Sequence, residues 1–471
     1  MGTNRRKRRS RKQRRIRQIR VTIAMIVLLL AAVIALTVGL NVGKDHGKGH
    51  GDKKTETTKN SKEEQRKATI ENAKFLMQGY AYDEAVLALQ EVEGYETDTE
   101  IQQLITDIEA AKAACVPVKL EEVTHIFYHS LVVDEHRAFD GQGTDSQAVG
   151  NNQWMTTVDE FNAITQEMYD RGYVLVSIHD LYEVTTDENG EEKWVPGEIL
   201  LPEGKKAFVL SLDDLSYYHA YDNYGYAARL ILDQGGKGVN EFYDADNNLQ
   251  IGAYGCVPLL DEFVRQHPDA SYKGAKGIIA LTGYNGVLGY RTDATYDLNN
   301  PNCDMHQRRW IENHPDFTLE KERAEAKKVA EAMKANGWEF ASHTWGHMKV
   351  GERSLSDIRT DTKKWKDNVE PIVGPVDTLI FAHGTDIGGP GEYSASNEKF
   401  NYFKEQGFRV YCNVDSHEYT TVLGKNYMRQ GRRNIDGYRI YQNAIGNQDN
   451  LSDLFDAKEI LDPDRPPVHN L

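Results

Sequence analysis

At 471 residues, 39% of them hydrophobic and four of them cysteine, the chain is long enough for one large enzymatic domain with accessory segments and is neither low-complexity nor disulfide-dense. Its formal net charge of −16 hides an asymmetry: residues 1–20 carry 11 Lys or Arg and no acid, while the residues after position 40 carry 45 basic and 72 acidic side chains. A body this anionic excludes nucleic acid as its partner, because that binding depends on Lys and Arg neutralising phosphates.

The first predicted element is a membrane span. Residues 21–40, VTIAMIVLLLAAVIALTVGL, are 20 consecutive uncharged and mostly apolar residues, which as a helix extend about 30 Å, the thickness of a bilayer's hydrocarbon core. The basic run 1–20 then reads as a cytoplasmic tail under the positive-inside rule, which sends the rest of the chain outward to the cell surface. A cleaved signal peptide is the competing reading, but its apolar region normally spans about 7–15 residues before a small-residue cleavage site. Residues 41–67 hold Gly, Lys, His, Thr and Glu with almost no large apolar side chain, so they read as an exposed linker in which His46 and His50 are solvated.

Residues 68–114 show helical periodicity, with Ile70, Ala73, Leu76 and Met77 on one face, then Ala85, Val86, Leu87 and Leu89, then Ile101, Leu104, Ile105 and Ile108. Two or three short helices are predicted. The run GYAYDEAVLAL is similar to the turn and second helix of a tetratricopeptide-type hairpin, so this segment reads as a spacer or a docking module for a protein partner.

From residue 115 onward, short apolar strands alternate with amphipathic helices. Strands are predicted at His125–Ser130, Val174–Ile178, Ala207–Leu212, Gly277–Leu281, Trp338–Ser342, Leu379–Ala382, Arg409–Asn413 and Tyr438–Gln442, and helices at Val158–Arg171, Val257–Gln266, Leu319–Asn336 and Ser354–Val373. Such alternation indicates an α/β fold with a parallel sheet or barrel, in which chemistry collects at the carboxyl ends of the strands. The cysteines, Cys115, Cys256, Cys303 and Cys412, show no C-x-x-C pattern; Cys256 with Cys303 is a conceivable disulfide, and buried free thiols are the alternative.

Two strand ends stand out. In AFVLSLDDLSYY an apolar strand finishes in adjacent carboxylates, Asp213 and Asp214; in WEFASHTWGHMKV a strand ends in His343, and His347 follows four positions later. That spacing sets both imidazoles on one side of a helical turn, an arrangement that holds a divalent ion. One added carboxylate completes a three-ligand site with positions open for water and substrate, and the neighbouring carboxylate is left as a base.

SLDD and SHTWGH resemble the two metal motifs of the polysaccharide deacetylase (NodB-homology) family of carbohydrate esterases, in the same order and each at a strand end. HIFYHSL resembles the opening of the family branch that deacetylates exported poly-N-acetylglucosamine, and MTTVDEFNAITQEMYDRGYVLVSIHDL the helix and strand that follow it; the resemblance covers roughly residues 120–445. It implies a distorted (β/α) barrel over residues 115–471, a divalent metal, foremost zinc, on Asp214, His343 and His347, and Asp213 as general base. No Leu-x-His follows Asp415 in the chain; in the branch with an initial Tyr-His the motif order is permuted and that early histidine is the acid, which points to His129. The family's third motif often supplies an arginine that orients the base, but LIFAHGTDIGG has Ala382 and His383 there, which leaves the support of Asp213 unassigned and His383 as a substrate contact or alternative acid. Asp415 falls where the fourth motif places an acid-supporting Asp, without the expected Trp. The spacing from Asp214 to His343 is long for the family, which implies insertions around residues 235–255 and 285–316 as loops at the substrate rim. Tyr217, Tyr218, Tyr284, Trp310 and Trp345 are candidates to stack on sugar rings.

The function implied is metal-dependent N-deacetylation of an extracellular amino-sugar polysaccharide with release of acetate. The rival is a glycan-binding pseudoenzyme in a cell-surface polysaccharide assembly complex, which the altered third motif favours.

Overall fold

The computed structural model describes residues 53–414 and 419–468. The basic tail, the apolar span 21–40 and Asp415 lie outside them, and among the described residues no helix is long and apolar enough to cross a membrane. The chain divides into two compact units, Met1–Cys115 and Val116–Leu471.

Among the described residues, the first unit contains three α-helices, α1 (Lys53–Gln78), α2 (Tyr82–Gln90) and α3 (Thr99–Ala113). The helix α1 begins inside the segment expected to be linker, and at 26 residues is not short. Lys, Glu and Gln lose little rotamer freedom in a helix, so a stretch without a core face of its own extends the one that follows, whose Ile70 and Ala73 are buried. Successive helices pack on one another, burying Ala85, Ala88 and Leu89 of α2 with Ile101 and Ile108 of α3. Asp98 caps α3 by accepting from the amides of Glu100 and Ile101, and Arg66 reaches it at 2.7 Å and Glu100 at 2.6 Å.

The second unit is built on seven strands: β1 (Thr124–Tyr128), β2 (Lys206–Leu212), β3 (Ile278–Leu281), β4 (Glu339–Ser342), β5 (Thr378–Ile380), β6 (Val410–Val414) and β7 (Met428–Asn434). They close in the order β3, β4, β5, β6, β7, β1, β2 and back to β3, every pairing parallel. The β2–β3 seam is short, Ser211 with Ile278 and Leu212 with Ile279, and a further parallel strand, Tyr173–Leu175, fills the amino-terminal half of the same β2 edge. Outward residues of β1 and β2, such as Ile126, Tyr128, Leu210 and Leu212, form one buried cluster with Phe161 and Ile164 of the helix Val158–Asp170. Each such Leu or Ile contributes about 1.5–3 kcal/mol by leaving water.

Two corrections concern the carboxyl-terminal part. Residues 438–442, expected as a strand, lie in the helix Gly437–Ala444. Their apolar alternation coexists with a helical face, because Gly437, Ile440 and Ala444 are buried and Asp436 caps the helix from the Arg439 amide. The strand that belongs to the barrel is instead MRQGRRN, β7, whose polar side chains gave no strand signal. The insertion expected as a loop around residues 235–255 forms a three-stranded antiparallel sheet, Ala227–Leu232, Gly238–Tyr243 and Leu249–Gly252. All four cysteines are free thiols: Cys256 is buried at the start of a helix, and Cys303 does not pair with it.

Candidate active site and metal centre

Because the strands are parallel, the residue just past each one lies at the same end of the barrel. This brings together His129 after β1, Asp213 and Asp214 after β2, and His343 after β4. Asp214, His343 and His347 each offer a ligand atom within 4.8 Å of the others. The loop from His343 to His347 is not the helical turn expected: Thr344 has φ 64° and His347 φ 51°, and these left-handed residues fold the chain back so that the two imidazole centroids lie 5.0 Å apart. Asp214 adopts φ 58° as well, a conformation that costs on the order of 1 kcal/mol for a residue with a Cβ and that separates the surroundings of two adjacent carboxylates.

The donor set suits a divalent ion. His343 Nδ1 lies 2.9 Å from the carbonyl oxygen of Ile380; a carbonyl only accepts, so Nδ1 carries the hydrogen and Nε2 is presented as the ligand. His347 Nε2 lies 3.4 Å from Asp214 Oδ2. The other oxygen, Oδ1, accepts the hydroxyl of Tyr218 at 2.5 Å, and that hydroxyl also contacts Thr282. Two imidazoles and one carboxylate on a mostly buried floor match the ligand types and number of an open zinc site. Burial alone would raise the Asp214 carboxyl, but the imidazoles of His347 and His343 outweigh it and hold it below the ordinary range.

Asp213 faces elsewhere. The guanidinium of Arg432 on β7 donates to both its oxygens, at 2.7 Å and 3.0 Å, and lies over the Phe127 ring, 4.1 Å from its centroid. Burial pushes the Asp213 carboxyl up; Arg432, with His343 and His129 adding to it, overrides this and holds the carboxyl well below its usual value. Arg432 is the residue that sequence reasoning missed: it occupies the orienting role left vacant at Ala382 and His383, and comes from a strand without apolar signature.

His129 has its Nδ1 buried with no hydrogen-bond partner among the described residues. Asp436, the buried cap of the last barrel-flanking helix, has its carboxyl raised by burial, with the charge of His129 among the effects opposing that. Asp415, which the sequence places in an acid-supporting role, lies outside the described residues. His383 is exposed, with its ring centroid 4.1 Å from that of His347. Trp345 is half-buried, donates Nε1–H to Asp293 at 2.7 Å, and with His347, Lys349, Arg353, Lys364 and His383 lines a groove beside the site. Tyr217 is not a substrate contact: it is buried in the core, and its hydroxyl accepts from Asn240 at 3.0 Å. Tyr218 is equally buried and stacks on Tyr284 with centroids 5.0 Å apart.

Residues 305–385, which include His343 and His347 but neither Asp213 nor Asp214, match the family model described as Polysaccharide deacetylase. A solved structure described as Streptococcus pyogenes deacetylase PplD in complex with acetate is similar at a TM-score of 0.34 and 14% sequence identity, over 69% of this chain and 94% of that chain. No curated protein matches. The family match falls on the segment that carries His343 and His347, and the likeness to polysaccharide deacetylases is shown for that segment.

Proposed function

We propose that the chain is a metal-dependent deacetylase that hydrolyses N-acetyl groups of an extracellular amino-sugar polysaccharide, of the poly-N-acetylglucosamine or peptidoglycan type, releasing acetate. The observation that carries this reading is the division of labour between adjacent carboxylates: Asp214 beside two imidazoles, Asp213 clamped by Arg432. Asp214, His343 and His347 would hold a divalent ion, zinc by the nature of the donors, which would supply polarisation of the acetyl carbonyl and acidification of water.

The chain's own residues do the rest. Asp213 stays ionised and takes the proton of the attacking water, its oxygens fixed in direction by the two-pronged guanidinium. His129, at the end of the adjoining strand, delivers a proton to the departing amine as the amide C–N bond breaks and is left neutral, and Asp436 supports the positive charge that His129 carries before the transfer. Trp345 and His383 line the path of the sugar chain. The rival pseudoenzyme reading drew on the missing arginine of the third motif, and Arg432 supports Asp213 from another strand. Residues 21–40 would hold this domain at the outer face of the cell membrane and residues 68–114 would dock a partner, readings that rest on the sequence.

The test is metal analysis of the purified chain combined with acetate release from chitooligosaccharides, poly-N-acetylglucosamine and peptidoglycan. One equivalent of bound divalent metal and chelator-sensitive acetate release are expected, both reduced in His343→Ala. Metal-free protein that releases no acetate from any of the three overturns the reading.

A further inference from the structure

A second polar network lies beneath the site, inside the barrel. His125 and Phe127 alternate along β1, Ser211 and Asp213 along and just past β2, and Gln430 and Arg432 along β7. Residues two apart share one face of a strand, and the opposite face of β1 and β2 holds the Ile126, Leu210 and Leu212 that pack on the outer helices, so this set faces inward. β1 lies between β7 and β2 in the ring, which places the three pairs side by side. His125, Ser211, Gln430 and Arg432 are all at most 1% exposed.

The contacts run in one direction. His125 Nδ1 lies 3.1 Å from Gln430 Oε1; that oxygen only accepts, so Nδ1 carries the hydrogen and Nε2 is an acceptor. Gln430 Nε2 is directed instead to Thr421 Oγ1 at 3.2 Å, consistent with this placement of its amide. Ser211 Oγ lies 3.0 Å from His125 Nε2 and therefore donates its hydroxyl hydrogen there. Its lone pair accepts Arg432 Nη1 at 2.9 Å, the same nitrogen that reaches Asp213 Oδ1 at 2.7 Å. Burial, seconded by the charge of Arg432, keeps the imidazole neutral, as its acceptor role requires.

We infer that His125 and Ser211 are positioning residues for the base: the neutral imidazole orients the Ser211 hydroxyl, whose lone pair fixes the Arg432 guanidinium in the plane that clamps Asp213. The inference rests on the deacetylase reading for its kinetic consequence, though not for its geometry. Without the Ser211 oxygen one face of the clamp is lost, and the planar guanidinium, held by Phe127 and Asp213, turns about its Cδ–Nε bond.

The experiment compares Ser211→Ala, His125→Leu, the double variant and His125→Gln in the full chain, by kcat, KM, metal content and a crystal structure of Ser211→Ala. Each disruptive single variant should lower kcat about ten-fold, as loss of a supporting contact typically does, with KM and metal content unchanged. The double variant should lose no more than the worse single one, because both cut the same chain. His125→Gln, whose carbonyl accepts from Ser211 and whose amide donates to Gln430, should return kcat to within about two-fold of wild type. The crystal structure should show Arg432 with one of its two contacts to Asp213 lost. Unchanged kcat in Ser211→Ala, multiplicative losses in the double variant, or an unmoved guanidinium overturns the inference. If the wild-type chain releases no acetate, the deacetylase reading falls, and the Arg432 geometry in Ser211→Ala alone decides the inference.

Discussion

At the amino-terminal end of the barrel, where Glu339 opens β4 and Asp377 precedes β5, the imidazole of His179 is engaged on both nitrogens, Nδ1 at 2.5 Å from Glu339 and Nε2 at 3.0 Å from Asp377. At the carboxyl-terminal end, His343 commits Nδ1 to the Ile380 carbonyl at 2.9 Å and leaves Nε2 at 3.8 Å from Asp213 Oδ2, beyond hydrogen-bond reach. The carboxylates repeat the contrast. Glu160 accepts from Arg465 Nε and Nη2 and from the amides of Thr157 and Asp462, so all its lone pairs are used. Among the described residues Asp213 accepts from Arg432 alone, at one contact per oxygen. Similar side chains thus serve opposite ends: the saturated ones join segments distant in sequence, and the half-used ones keep room for an ion or a proton.

The largest effect should come from the half-used carboxylate. Asp213→Asn keeps an acceptor for Arg432 but no basic oxygen, so kcat should fall by about 10²–10⁴, the usual span for a general base, while metal content stays at the wild-type level. Measured full activity in this variant would remove Asp213 from the mechanism. Since burial, outweighed by Arg432, leaves the folded carboxyl below its ordinary 3.8, the ion pair's stabilisation is complete above that pH and fades as the pH falls further. Denaturation curves of wild type and Asp213→Asn should therefore converge in strong acid.

The saturated carboxylate should behave in the reverse way. Glu160 and Arg465 are both fully buried, and removing one partner of such a pair costs about 3–5 kcal/mol, because the other charge stays behind in the interior. Glu160→Gln should lower stability on that scale in urea denaturation, with kcat of the folded fraction unchanged. A variant with wild-type stability but lost activity would invert the comparison.

The half-used groups were largely legible in the sequence and the groups that support them were not. Asp213, Asp214 and His343 each follow an apolar run, and buried parallel strands write themselves as such runs. β7 is MRQGRRN: its inward positions hold Gln430 and Arg432, which reach His125 and Asp213 far away in sequence, and no local pattern announces a strand whose interior face is charged. Asp436 leaves no local mark either, because it caps a helix whose apolar residues alternate like a strand. The His343–His347 spacing does bring the two imidazoles together, but not through the helical turn expected, because positive φ at Thr344 and His347 leaves no trace in residue type where neither residue is Gly or Asn.

His179 offers the smallest and most specific test of saturation. Burial opposes its protonation, but the hydrogen bonds to Asp377 and Glu339 prevail and raise it from 6.5 to about 10. A group raised on folding contributes stability that is complete below its unfolded value and is lost as the pH climbs through the folded one. Its side chain is 40% exposed, so solvent screens the pair and the effect on melting should be modest. The melting temperatures of wild type and His179→Gln should differ most near pH 6 and converge by about pH 10, with kcat alike throughout. A gap that is constant with pH would mean that His179 acts by packing and not by charge. A gap in kcat would mean that the amino-terminal end of the barrel is coupled to the chemistry at the other, an outcome the saturated contacts of His179 argue against, since both its nitrogens are spent on joining Ser177–Leu181 to β4 and β5.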